Sequence, residues 1–221
     1  FEQFLQFLAR YQSIWDRPLM RRLLDRVTKP FMRGIAETAR LSPQLVLPRL
    51  ARRQLRDRYP ELIPEASRAA RSPVAYFHGC GMRMMFPEAA AETIEILKAS
   101  TKPVMKDNVC CGLPHLAHGL RDEFLELART NIRIYEDADA VVCDCASCGG
   151  TLKHLASYFA DDTQWKDRAA SFSRKVMDLT EYLAKVGYTP RQKVETTFTY
   201  HDPCHLGRGQ GIKKQPRDLL R

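Results

Sequence analysis

Ala140-Val141-Val142-Cys143-Asp144-Cys145-Ala146-Ser147-Cys148 joins a short apolar run to a Cys-x-x-Cys pair. Four apolar residues of this kind read as a buried strand, and the pair then stands where the strand gives way to a turn or helix. The same form occurs upstream, where Val74-Ala75-Tyr76-Phe77 runs into His78-Gly79-Cys80. Between the two lie a helix opened by Pro87 and Glu88, with Ile94 and Leu97 on one face, and an extended segment from Pro103 to Val109 that ends at Cys110-Cys111-Gly112. A longer helix follows, with Leu120, Phe124, Leu127, Ala128 and Tyr135 on one stripe. After Cys148 the pattern predicts a helix through Leu152, Leu155 and Phe159, and more helix over roughly 165–186. Strands alternating with helices predict an α/β fold, a small parallel sheet flanked by helices. Each cysteine group then falls at a strand end, the edge of such sheets where ligands bind.

Residues 1–72 read differently. Phe4, Leu5, Phe7 and Leu8, then Leu23, Leu24, Val27, Phe31, Met32 and Ile35 recur mostly at helical spacing, interrupted by Pro18, Pro30, Pro43 and Pro48. This stretch has 15 Lys or Arg against 7 Asp or Glu, which accounts for nearly all of the net charge of +9. It is expected to be a basic helical arm or connector, suited to an anionic lipid surface or an acidic partner. A nucleic-acid role is disfavoured, because the charge is not interleaved with stacking aromatics. No stretch approaches the roughly 20 apolar residues a membrane helix needs.

All seven cysteines lie beyond residue 79. Tight grouping in the absence of a secretory pattern points to metal ligation in a reducing compartment rather than to a disulfide scaffold. The spacing is Cys80, 29 residues, Cys110-Cys111, 33 residues, then Cys145-x-x-Cys148. A Cys-x-x-Cys pair lets two thiolates reach one metal centre, and a helix opened by that turn offers free N–H groups to an anionic ligand. Two adjacent side chains in extended chain point to opposite sides, so Cys110 and Cys111 fit a single zinc ion poorly. Five candidate ligands also exceed the four that zinc requires. The count favours a multi-iron centre, with a zinc-binding interaction module and plain redox thiols as the competing readings.

The Cys…Cys-Cys-Gly…Cys-x-x-Cys arrangement resembles the cysteine-rich CCG family. That family includes the cysteine-rich subunit of heterodisulfide reductase, the anaerobic glycerol-3-phosphate dehydrogenase iron–sulfur subunit, and iron–sulfur subunits of glycolate and lactate oxidases. The resemblance implies that Cys80, Cys110, Cys111, Cys145 and Cys148 hold a [4Fe-4S] cluster, non-cubane in the heterodisulfide reductase branch. Met85-Phe86-Pro87-Glu88, Phe159-Ala160-Asp161-Asp162, Tyr200 through Leu206, Gln210-Gly211-Ile212 and Gln215-Pro216-Arg217 are similar to the glycolate oxidase branch. It implies an electron-transfer subunit of a flavin-dependent 2-hydroxyacid oxidoreductase, in the cytoplasm or on the inner face of its membrane. FAD would sit on a flavoprotein partner, and electrons would pass toward a quinone or other carrier. The alternative from the same family is a cluster that itself cleaves a disulfide. The family's N-terminal module with Cys-x-x-Cys-x-x-Cys runs has no counterpart in this sequence.

One echo sets the expected domains. Thr197-Phe198-Thr199-Tyr200-His201-Asp202-Pro203-Cys204 repeats the form of Val74 through Cys80. The reading is a basic arm over 1–72, a first CCG lobe over 73–193, and over 194–221 the start of a second lobe, in which Cys204 would be the first ligand of another cluster in a longer chain. Cys143 falls outside the spacing and is read as a small buried strand-end residue. His78, His201 and His205 beside cysteines, and His115 and His118 after the Cys-Cys-Gly turn, are read as strand-end or packing residues, with cluster tuning as the functional alternative. Met82, Met84 and Met85 are read as packing. Gly207-x-Gly209-x-Gly211 lacks a full nucleotide-loop pattern.

Overall fold

The computed structural model describes residues 55–63, 72–190, 192 and 194–221. Most of the expected basic arm, residues 1–54 and 64–71, lies outside them.

Four parallel strands form one sheet: β1 (Ser72–Phe77), β2 (Val104–Met105), β3 (Ala138–Cys143) and β4 (Val176–Asp178), in the order β2-β1-β3-β4. The register pairs Ala75 with Val104, Phe77 with Cys143, and Cys143 with Asp178. Successive side chains of a strand point to opposite faces. Ala75, Phe77, Val141, Cys143 and Val176 therefore share one core, and Val74, Tyr76 and Val142 share the other. A parallel sheet covered on both sides needs apolar residues at every strand position, hence unbroken runs rather than alternation.

The first face is covered by α5 (Arg121–Ile134), α6 (Ala146–Lys153), α7 (Leu155–Tyr158) and α8 (Lys166–Lys175). Phe124, Ile132, Leu152 and Phe172 fill it, and Phe77 and Tyr135 stack with ring centroids 5.9 Å apart. The second face is covered by α3 (Pro87–Lys98), through Ala90, Ile94 and Leu97, and by α9 (Leu179–Lys185), through Tyr182 and Leu183. Leu55 of α1 (Leu55–Arg58) is buried in that second layer. Around it, Arg56 pairs with Asp107 at 2.7 Å and Lys98 with Glu61 at 3.1 Å. Full burial of one such Leu or Phe contributes about 1.5–3 kcal/mol.

The predicted α/β class holds, as do the strands at Val74 and Ala140 and the helices opened by Pro87 and after Leu120. The helix read over 165–186 is instead two helices separated by β4. Val176 turns extended (φ −76°, ψ 128°), and Asp178 caps α9 by accepting from the Thr180 N–H at 2.8 Å while Glu181 accepts from the Asp178 N–H at 3.0 Å. That reciprocal cap restarts the helix after only three strand residues. The extended segment read over 103–109 pairs only at Val104–Met105. Thr197–Tyr200, read as a strand, has no ladder partner among the described residues, and Phe198 is 55% exposed. Cys204 nonetheless opens a short helix, α10 (Cys204–Gly207), as Cys80 opens α2 (Cys80–Met84). The chain ends in α11 (Lys214–Leu219).

Candidate metal centre

The order β2-β1-β3-β4 contains a switch point. From β1 the chain leaves by α3 on the second face, and from β3 it leaves by α6 to α8 on the first. Between two strands whose connections diverge, a crevice opens at their carboxyl ends. Phe77 and Cys143 are register partners at those ends, and Cys80 and Cys145 follow them into the crevice. Cys110 and Cys111 arrive from the carboxyl end of β2, just before α4 (Leu113–Ala117).

All five predicted ligands meet there. Cys80 Sγ lies 3.6 Å from Cys110 Sγ. The thiols of Cys110 and Cys111, of Cys111 and Cys148, and of Cys148 and Cys145 lie close enough to influence one another's ionisation. The adjacent pair divides its other partners: Cys110 meets Cys80, and Cys111 interacts with Cys148. Cys111 and Cys148 are buried, while Cys80, Cys110 and Cys145 are half-buried. The sulfurs touch in sequence rather than around one point, and among the described residues no three His, Cys, Asp or Glu side chains form a ready single-ion site.

The backbone around them is built for anionic sulfur. The Gly112 N–H donates to Cys110 Sγ at 3.5 Å. Contact with the Cys148 side chain, with the N–H groups of Cys148 and Ser147 adding to it, pulls the Cys145 thiol down to about 6 against its burial. Cys145 is the residue that caps α6, so those N–H groups have no helical acceptor and are available to sulfur. The other thiols are pushed the opposite way: Cys80 upward by its bond to Cys110 and by burial, Cys110 up to about 12 by its bond to Cys111 and by burial. Cys111 is drawn down by Cys110, but Cys148 and burial outweigh this and its thiol is raised. Crowded sulfurs cannot all be anionic unless a cation lies among them. A polynuclear iron centre supplies that cation, and the donor set fits one.

Glycines hold the sulfurs close. Gly112 has φ +85°, and a Cβ there would come within 2.7 Å of Phe124 Cδ2, so the residue after the cysteine pair has to be glycine. A Cβ on Gly79 would meet Cys148 Sγ at 3.1 Å.

Several positioning residues went unread in the sequence. The irregular segment 106–111 is fixed by side chains in place of a ladder. Asn131, fully buried on α5, accepts from the Val109 N–H at 3.2 Å and donates to the Cys110 carbonyl at 2.9 Å. Asn108 donates to the His78 carbonyl and accepts from the Tyr135 hydroxyl at 3.0 Å. Asp144, between Cys143 and Cys145, accepts from Tyr76 at 2.7 Å and Thr93 at 2.9 Å, and burial raises its carboxyl pKa despite both bonds. A buried Asn on an otherwise apolar helix stripe was the available signal, since buried amides need partners.

His78 stands two residues before Cys80, with its Nδ1 buried and without a hydrogen-bond partner among the described residues. Burial, helped by Arg83, depresses its pKa to about 4, so the ring is neutral, and its Nε2 donates to the Lys106 carbonyl at 3.1 Å. His115 is buried on α4; His118, His201, His205 and Cys204 are exposed. Met82 packs against the second core, whereas Met85 is exposed. At Gly209 a Cβ would strike the His205 carbonyl oxygen at 2.7 Å, so that glycine serves a tight turn and not a phosphate. Gln210 crosses to α6, donating to the Ala146 carbonyl at 2.8 Å above Gly149.

Residues 74–153, which contain all five cysteines, match the cysteine-rich domain family CCG. The chain is 39% identical over 152 residues to an uncharacterized iron–sulfur protein of Methanocaldococcus jannaschii, covering 67% of the chain and 28% of that protein. It is 29% identical to a probable glycolate oxidase iron–sulfur subunit of Bacillus subtilis, over 80% of the chain and 41% of the relative. To lactate utilization protein A of Shouchella clausii it is 30% identical, over 66% of the chain and 63% of the relative. The chain thus spans less than two thirds of the length of each of these relatives. No solved structure matches it.

Proposed function

We propose that residues 74–153, a cysteine-rich domain of the CCG family, hold an iron–sulfur cluster through Cys80, Cys110, Cys111, Cys145 and Cys148 and use it to relay electrons. The observation that carries this reading is the convergence of five thiols at the switch point of the sheet. The cluster, when bound, supplies a one-electron carrier; we assign it as [4Fe-4S], of the non-cubane kind because five cysteines serve one site.

The chain's own residues do the rest. Cys111 and Cys148 sit on the dry side, and Cys80, Cys110 and Cys145 on the accessible side, which is the side from which a redox partner reaches the site. The N–H groups of Gly112, Ser147 and Cys148 face ligand sulfur, and such bonds stabilise added negative charge. Asn131 and the Asp144–Tyr76–Thr93 group hold the two irregular segments in place.

The similarity to glycolate oxidase and lactate utilization proteins supports a place in a flavin-dependent 2-hydroxyacid oxidoreductase. A flavoprotein subunit bearing FAD oxidises the substrate, and this chain passes electrons toward a quinone or other carrier. We place it in the cytoplasm, with residues 1–72 as a basic contact for the flavoprotein or for anionic lipid. Among the described residues no helix is long and apolar enough to cross a membrane.

The test is iron and acid-labile sulfide per chain in anaerobically purified protein, with EPR on the same sample. About four of each, in a brown protein, supports the reading. A colourless chain holding zinc would replace it with the interaction-module reading, and turnover of a small heterodisulfide by the reduced protein would move it to the catalytic branch.

A further inference from the structure

Cys143 lies outside the five-ligand spacing, and electron relay as proposed makes no use of it. It ends β3, is fully buried, and shares the first face of the sheet with Val141. Cys145, with extended backbone (φ −102°, ψ 109°), continues the two-residue alternation, so Cys143 and Cys145 fall on the same side of the chain. The first turn of α6 then brings Cys148 back against both. The Cys143 and Cys148 side chains lie close enough to interact, and Cys143 Sγ donates to the Cys145 carbonyl oxygen at 3.4 Å. A soft metal-ligating sulfur thus stands beside a ligand sulfur.

We propose that Cys143 is a sixth thiol of the centre, able to take over the metal bond assigned to Cys148. The proposal rests on the iron–sulfur reading above. The exchange would move no electrons: the Cys143 thiol would give its proton to the Cys148 thiolate as that sulfur is released, and the Cys143 sulfur would take its place at the metal. Coordination itself deprotonates a thiol, so the buried position is no barrier. Cys143 surrenders a long S–H···O contact in return for a metal bond. The cluster is thereby buffered against loss of one ligand on its dry side, where Cys148 lies.

The experiment compares the full chain with Cys143→Ala, Cys148→Ala and the double variant, all purified anaerobically. Iron and sulfide are measured per chain, EPR spectra are recorded, and circular dichroism checks folding. Cys143→Ala should hold as much iron as the parent. Cys148→Ala should keep most of its iron with a shifted EPR signal, and the double variant should lose it severalfold. The pair Cys143→Val and Cys143→Val/Cys148→Ala, which preserves buried volume, should repeat this and so separate ligation from packing. The proposal is overturned if Cys148→Ala is as empty as the double variant, or if the double variant holds as much iron as Cys148→Ala. A parent chain without iron would instead remove the cluster reading beneath it.

Discussion

Val74 through Cys80 and Thr197 through Cys204 are two versions of one sentence: a short apolar run, a histidine, turn residues and a cysteine. In the first, Val74, Ala75, Tyr76 and Phe77 are all buried in a strand between β2 and β3, and the cysteine lies 3.6 Å from Cys110 Sγ. In the second, Val194 and Phe198 stand out in solvent and Cys204 is exposed. Both cysteines still open a short helix, because that depends on a few neighbouring residues. Strand formation depends on a neighbouring strand to pair with, and the second unit has none among the described residues. It is held instead by Leu206 and Ile212, both buried, by Gln210 on α6, and by Arg217, which grips Asp202 at 2.5 and 2.7 Å and lies over the Tyr200 ring. Local pattern selects the helix start; long-range pairing decides whether a β-type run becomes a strand and whether its cysteine is buried among others.

The largest contrast is expected at the cysteines themselves. Cys111→Ser should abolish or degrade the cluster, seen as loss of iron and of the visible absorption, while Cys204→Ser should leave iron per chain unchanged. Equal losses would break the distinction between the two units. Next come the glycines. Gly112→Ala forces a left-handed backbone and a 2.7 Å clash with Phe124, and should lower stability by about 3 kcal/mol in urea denaturation. Gly211→Ala, also left-handed (φ +72°) but in open space, should cost about 1 kcal/mol.

A smaller difference separates the two polar tethers. Asn131→Ala strands the buried Val109 N–H and Cys110 carbonyl and should cost about 2–3 kcal/mol, with weakened iron retention. Gln210→Ala removes one half-buried bond and should cost about 1 kcal/mol while leaving iron content intact. At the bottom of the scale, Arg217→Gln breaks an exposed pair, and the denaturation midpoint should not move measurably. A marked shift there would show that the second unit is anchored to the lobe by more than surface contacts.

Much of this was legible without coordinates. β1 and β3 are unbroken apolar runs, and α3 and α5 carry clear helical stripes, so the alternation that defines a parallel sheet could be read off. β4 was hidden because three residues between two helices carry too little period to register, although Asp178-x-x-Glu181 is a recognisable helix start. β2 was overextended because the residues after Met105 are held by Asn131 on a distant helix and by the Asn108 side chain, which bonds to the His78 carbonyl, rather than by a ladder. Of the candidate site, the five cysteines and their meeting at strand ends were readable. The partnership of each sulfur was not: Cys110 with Cys80, Cys111 with Cys148, and Cys143 beside Cys148.

By itself, then, the sequence determined the fold class, the ligand types and the edge of the sheet at which they lie, because these follow from local periodicity and from where a run of apolar residues stops. Tertiary structure alone decided which sulfurs meet, which of them are buried, why Gly112 and Asn131 are needed, and why the cysteine of one His-and-Cys unit lies against Cys110 while that of its echo is exposed. These depend on contacts between residues tens of positions apart, whose geometry is set by strand register and by which helix covers which face.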